Sequence, residues 1–204
     1  ASAAEVELQH ARDDGATPAM VNKPLAQAEL MLRKPKAVLE LTEPVDGASP
    51  QLAASLLALR GEAYFALGQR DEAAKAFAEG LKTDPNSVDV LVGMGRAALT
   101  QRDLPQAKEH LAAAQKEAPK SPQVIELAGD VAFAGADFAG SEQAYQSLHE
   151  LQPWNLVARL GMARAQISQS KLKDAITNLD LVLKGASKDP RANYLRALAA
   201  YLSG

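Results

Sequence analysis

The sequence predicts an all-α chain in which helix–turn–helix units stack into a solenoid. Three observations predict it. Pro85, Pro119 and Pro153 stand 34 residues apart. Small residues recur in phase with these prolines, and large apolar residues recur at a second fixed place in the same frame. A period near 34 residues with this alternation marks a supersecondary unit that buries its apolar face only against its neighbours. Such an architecture puts function on an extended surface rather than in a catalytic pocket.

The frame is explicit when repeats start at Ala54, Val88, Pro122, Leu156 and Pro190. The eighth position is then Gly61, Gly95, Gly129, Ala163 and Ala197, always small, as a close helix crossing requires. The twentieth is Ala73, Ala107, Ser141 and Ala175, small for the same reason. The twenty-fourth is Phe77, Leu111, Tyr145 and Leu179, a large knob. The seventeenth is Arg70, Leu104, Phe138 and Leu172, apolar in all but the first. The thirty-second is Pro85, Pro119, Pro153 and then Ser187.

Along the chain, residues 1–16, which open ASAAEVELQHARDD and reach Gly15, read as the second helix of a truncated repeat. Residues 18–50 read as a degenerate repeat whose helices are PAMVNKPLAQAELMLRK and PKAVLELTEP. Pro24 falls inside the first, which is expected to kink or start late, and Pro35 opens the second. Residues 54–87, 88–121, 122–155 and 156–189 are regular repeats, and 190–204 is the first helix of another truncated one. Ser121-Pro122 and Asp189-Pro190 are helix-start signals, and Asp71, Asp103 and Asp137 stand where second helices begin. These signals add up to about twelve helices, no strands, and loops of about two to five residues. The sequence opens on a second helix and closes on a first helix whose Leu195, Leu198 and Leu202 leave no broad polar face. An array normally ends in a polar capping helix, so an excised piece of a longer array is expected, with a short protein that dimerises through its ends as the alternative.

Composition bounds the function. The chain is 47% hydrophobic but only 4% aromatic, so its core is expected to consist of many small contacts. A net charge of −3 gives no basic footprint for nucleic acid. No apolar run approaches the roughly 20 residues of a membrane span. Cysteine is absent, which removes disulfides and thiolate metal sites and leaves the compartment open.

Motifs that carry chemistry are lacking, and one decoy stands out. Gly93-Met94-Gly95-Arg96-Ala97-Ala98 matches G-x-G-x-x-A, but that fingerprint needs a preceding strand. Here the frame puts it inside a helix, and Gly161-Met162-Ala163-Arg164-Ala165 echoes it later in the same frame, so these glycines are read as helix-crossing positions. His10, His110 and His149 fall in different helices without metal-ligand spacing and read as surface or boundary residues. His149-Glu150 lacks the second histidine of a zinc protease motif. The expectation is no enzyme, no cofactor and no metal.

The chain resembles the tetratricopeptide repeat (TPR) family over nearly its whole length. LLALRGEAYFALGQRDEAAKAFAEGLKTDPNS, within 54–87, is the best copy and carries the family's positions as Gly61, Tyr64, Ala73, Phe77 and Pro85. The resemblance implies a right-handed superhelix whose first helices line a concave groove, with their second, fifth, ninth and twelfth positions pointing into it. The ninth positions here are Glu62, Arg96, Asp130, Arg164 and Leu198, alternating in charge. Neighbouring helices pack about 8–10 Å apart, so an arginine reaches a carboxylate on either side. Such a ladder either fixes the superhelix or contacts a ligand. The twelfth positions are Phe65, Leu99, Phe133, Ile167 and Tyr201, an apolar track that is either groove wall or anchor for a peptide. A protein or peptide partner in this groove is expected, with Arg96 and Arg164 as its polar contacts. Trp154, at a turn where asparagine is usual, is expected to pack on the next repeat. The family's carboxylate clamp for chaperone tails is not present, since Ala58, Glu62, Gly93, Gln123 and Leu127 occupy its positions and none is a cation.

A narrower resemblance rests on LLALRGEAYFALGQRDEAAKAF, VARLGMARAQISQSKLKDAITNLDLVLK and especially RANYLRALAAYLSG, in which ANYLRALAAY, Ala192 to Tyr201, is the most specific piece. These segments look like the bacterial TPR lipoprotein family encoded with the exosortase/PEP-CTERM sorting system and associated with exopolysaccharide production. That resemblance implies a periplasmic or envelope location, a lipid anchor upstream, and a scaffold role in export. A cytoplasmic TPR adaptor or regulator that binds a peptide in the same groove is the other class. The start of the parent gene discriminates the two: a signal sequence ending in a lipid-modifiable cysteine, or a cytosolic start.

Overall fold

The computed structural model describes residues 2–204, with side chains from residue 3 onward. Ala1, at the head of the first expected helix, lies outside the described residues. Among the described residues the secondary structure is twelve helices and no strand. They are α1 (Ser2–Asp13), α2 (Pro18–Met31), α3 (Pro35–Leu41), α4 (Pro50–Ala66), α5 (Arg70–Thr83) and α6 (Val88–Thr100), followed by α7 (Leu104–Glu117), α8 (Pro122–Ala134), α9 (Phe138–Leu151), α10 (Leu156–Ser168), α11 (Leu172–Gly185) and α12 (Pro190–Leu202).

The helix boundaries follow from local chemistry. Asp103 and Asp137 accept hydrogen bonds from the backbone N–H groups of Gln106 and Gly140, at 3.0 and 2.9 Å. Asp189 accepts from those of Arg191 and Ala192. Each satisfies donors that the first turn leaves open. Asp71 is instead the second residue of α5, after an N-cap Gln69 that makes no side-chain cap bond. Ser121 likewise precedes α8 without a side-chain cap bond, and Pro122 supplies the start signal.

The turns within helix pairs share one device. Gly68, Arg102, Ala136 and Ser170 all have φ between 60° and 78° and recur with the repeat period. After each, a backbone N–H reaches back to a carbonyl in the closing turn, as Asp137 N does to Ala132 O at 2.9 Å. This is the left-handed helix stop that normally uses glycine. Only Gly68 meets that preference. A left-handed alanine costs about 1–2 kcal/mol, and glycine's greater freedom in the unfolded chain returns part of that. We therefore expect Ala136→Gly to stabilise the protein by about 0.5–1 kcal/mol in urea denaturation. An unchanged or lower midpoint would show that the turn strain is relieved elsewhere.

The chain forms two compact units, Ala1–Ala97 and Ala98–Gly204, divided within α6. In the first, Ala26, Val38, Leu59 and Ala63 form one buried cluster, and Ala54, Ala58, Ala73, Phe77 and Val90 another. Lys34 adds a polar tie, with its ammonium 2.7 Å from Glu5 and 3.2 Å from the buried Glu29. In the second unit, Tyr145, Leu148, Ala158 and Met162 pack together, and Leu160, Ala163, Ala175, Leu179 and Val182 continue into α12 through Ala192 and Ala199.

The small-and-large alternation is the packing rule of both units. Phe77 is 3% exposed, and its ring lies against Gly61 of its own pair and Gly93 of α6. A Cβ on Gly61 would stand 2.5 Å from that ring, and one on Gly93 would stand 2.7 Å from it. Tyr145 is inserted in the same way between Gly129 and Gly161. Gly93, the first glycine of the apparent dinucleotide fingerprint, is thus part of a knob's socket.

The degenerate repeat departs from expectation. α2 begins at Pro18 and runs helically through Pro24, without a late start. α3 stops at Leu41. The connection from α3 to α4 spans residues 42–49, longer than expected, and α4 begins at Pro50, ahead of Ala54. The proline at 44 disfavours helix in the residue before it, and Ser49, which accepts from Leu52 N, caps a helix that starts at Pro50.

Candidate functional site

In the first unit, the groove-facing positions expected on the first helices form two polar contacts. Arg96 Nη1 lies 3.5 Å from Glu62 Oε1, joining ninth positions of consecutive repeats. Lys23, Ser55 and Asp89 form a second, tighter group. The Ser55 hydroxyl donates to Asp89 Oδ2 at 2.5 Å, and the Lys23 ammonium lies 2.7 Å from the same oxygen and 3.0 Å from Ser55 Oγ. Phe65 is half-buried against the cluster around Phe77.

In the second unit, Asp130 is the centre. Its Oδ1 accepts from Arg164 Nη2 and from the Tyr145 hydroxyl, each at 2.7 Å. The Arg164 guanidinium lies 4.1 Å from the centroid of the Phe133 ring, a cation–π contact. Arg164 keeps 38% of its side chain exposed and Asp130 keeps 30%, so the assembly is ordered but open to solvent. Burial, with the charge and hydrogen bond of Asp130, drives the Tyr145 phenol far above its ordinary range, so it remains a neutral donor. Leu99 and Ile167 are half-buried, and Ile167 packs on the cluster that reaches α12. Tyr201 is 83% exposed.

The structure therefore groups Glu62 with Arg96, and Asp130 with Arg164 and Phe133. It leaves Tyr201 apart from them. Sequence reasoning missed Lys23 and the role of Tyr145. The signal for Tyr145 was a hydroxyl at a knob position otherwise held by Phe and Leu, one helix from a ninth-position carboxylate.

Away from these positions, Glu142 accepts from Lys171 at 2.7 Å and from Gln166 and Gln169 at 2.9 Å. Burial raises this carboxyl, but those hydrogen bonds outweigh it and hold it below its ordinary range. Gln166 is buried and also accepts from Asn178, so this network ties α9, α10 and α11. His149 Nε2 lies 3.1 Å from Arg159 Nη2, and His10 is exposed. Among the described residues no group of His, Cys, Asp or Glu could hold a metal ion, and no helix is long and apolar enough to cross a membrane. Trp154 does not pack on the next repeat: it is 77% exposed. It lies in the α9–α10 turn, where the helix-pair packing does not reach.

The Tetratricopeptide repeat family profile matches residues 64–130 and 132–199. The chain belongs to that family, whose members are protein–protein interaction scaffolds and whose fold is typically non-enzymatic. Solved structures agree on the fold. A thermophilic TPR protein of Thermus thermophilus is 18% identical with a TM-score of 0.74, over 90% of this chain and 99% of that one. A chain of the APC/C hetero-tetramer Cut9–Hcn1 is 16% identical with a TM-score of 0.77, over 97% of this chain and 40% of that one. The TPR2AB domain of yeast Sti1 in complex with pHSP90 is 16% identical with a TM-score of 0.51, over 96% and 90%. Comparison with curated proteins gave no match.

Proposed function

We propose that this chain is a non-enzymatic scaffold that holds a protein or peptide against the first-helix faces of its repeats. The contact residues are Glu62, Phe65 and Arg96 in the first unit, and Leu99, Asp130, Phe133, Arg164, Ile167 and Tyr201 in the second. The observation that carries the reading is Arg164. It is held by Asp130 and stacked on Phe133, yet more than a third exposed. A pre-ordered arginine beside an aromatic ring is the composition of interface hot spots. The clamp positions for a chaperone tail hold no cation. Ala58 and Leu127 are buried there, so the carboxylate-end mode is not the one proposed.

For the setting we infer a bacterial envelope system for exopolysaccharide production and PEP-CTERM protein export. The chain would be periplasmic and held by a lipid anchor in a longer parent protein. ANYLRALAAY supports this reading. A parent gene that starts with a cytosolic sequence would overturn the setting and leave a cytoplasmic adaptor.

The double variant Arg96→Ala with Arg164→Ala tests the binding face. Half-exposed pairs of this kind are worth about 0–1 kcal/mol each, so the fold should survive. We expect partner recovery from cell-envelope extract to be lost while the melting temperature falls by only a few degrees. Retained binding with lowered stability would make both arginines scaffold alone.

A further inference from the structure

The second helices α5, α7, α9 and α11 each run 14 residues, whereas α3 runs 7. Counted from its first residue, the eighth residue of each long helix is Phe77, Leu111, Tyr145 or Leu179, the buried knob. The same count from Pro35 falls on Thr42, just past the end of α3. Thr42 is buried, but its hydroxyl turns back onto Val38 O at 2.8 Å. It closes its own helix and supplies none of a knob's bulk.

The missing turns leave an open cleft of about 470 Å³ in the first unit. The segment from Thr42 to Val45 forms one wall and α5 the other, and Leu56 and Leu57 of α4 lie in the floor. At 3.6 residues per turn, Leu56, Leu57, Arg60 and Tyr64 leave α4 on the side opposite Ser55, Glu62 and Phe65. The cleft is therefore separate from the binding face proposed above.

The cleft's charge is specific. Arg60 donates to Thr42 O at 3.0 Å and to Glu43 Oε1 at 2.7 Å, and lies over the Tyr64 ring. Its charge is thereby matched within the wall. Glu72 and Glu79, two helical turns apart on α5, are exposed along the other edge with Lys75 between them. That edge carries a net negative charge above an apolar floor.

We propose that this cleft is a docking site for a short amphipathic helix of a partner, apolar on one face and basic along the edge that meets Glu72 and Glu79. The occupant takes the place of the two turns that α3 lacks. Seven residues of helix span about 10 Å, which fits a two-turn insert.

The test uses the whole chain and two synthetic helical peptides, one with leucines on one face and lysines along its flank, the other with those lysines replaced by glutamate. In amide NMR titrations the lysine peptide should shift Leu56, Leu57 and Ala76. Its affinity should drop about fivefold in Glu72→Gln with Glu79→Gln, whose surface charges leave the fold intact. Ala76→Trp, which fills the cleft, should abolish the shifts. Equal binding of the glutamate peptide, shifts centred on Ser55, Glu62 and Phe65, or no shifts at millimolar peptide would each overturn the proposal.

Discussion

Phe77→Ala is expected to cost about 3–5 kcal/mol, the range for emptying a well-packed aromatic site. The reason for the upper half of that range lies in its sockets. Gly61 and Gly93 line the ring and have no side chain that could move into the vacated space. Ala54, Ala58, Ala73 and Val90 complete the buried cluster, and they are small or β-branched. Repeats couple chiefly to their neighbours, so the loss should be local. Hydrogen exchange should rise in α4, α5 and the start of α6 well before it rises in α10 to α12. Uniform loss of amide protection across the described helices would contradict nearest-neighbour coupling and imply a single cooperative core.

The sites where the frame was legible are those where helix crossing dictates residue size. Gly61 and Phe77, or Gly129 and Tyr145, are complementary because one ring must fit where a Cβ cannot. That constraint writes itself into the sequence once per repeat. The ion pairs of the ninth positions were legible for a related reason: one period in sequence is one helix step in space, so Glu62 meets Arg96 and Asp130 meets Arg164. Where the period slips, the inference fails. Lys23 joins Ser55 and Asp89 although it does not stand one period before Ser55. The degenerate repeat has its own spacing, so no frame counted from later repeats finds this lysine. The same slip hid the early stop of α3. Proline at 44 was visible, but the helical pattern reads on to it, and the structure ends the helix at Leu41 with Thr42 folded back on Val38. Trp154 was misplaced because a turn residue belongs to no helix face, and periodicity says nothing about which way it points.

Tyr145 offers a second large effect and a way to separate its two roles. Tyr145→Ala should cost about 3–5 kcal/mol, since it empties the socket between Gly129 and Gly161. Tyr145→Phe keeps the ring and removes only the hydroxyl that donates to Asp130. Asp130 retains Arg164 and is partly open to water, so this change should cost about 1 kcal/mol. The phenol also predicts a pH response. Its folded pKa is raised above the unfolded value of about 10. A raised pKa means that the stabilising neutral form is fully present below about pH 10, and that its contribution falls as pH rises above that point. Urea unfolding between about pH 8 and 11 should therefore show the wild-type protein losing its advantage over Tyr145→Phe at the alkaline end. Parallel stability curves across that range would mean that the phenol is not both buried and held beside Asp130 in solution. In that case the Asp130–Arg164 pair, and with it the pre-ordered arginine on which the binding face rests, would be held by its own 2.7 Å contact and the Phe133 stack without the Tyr145 tie.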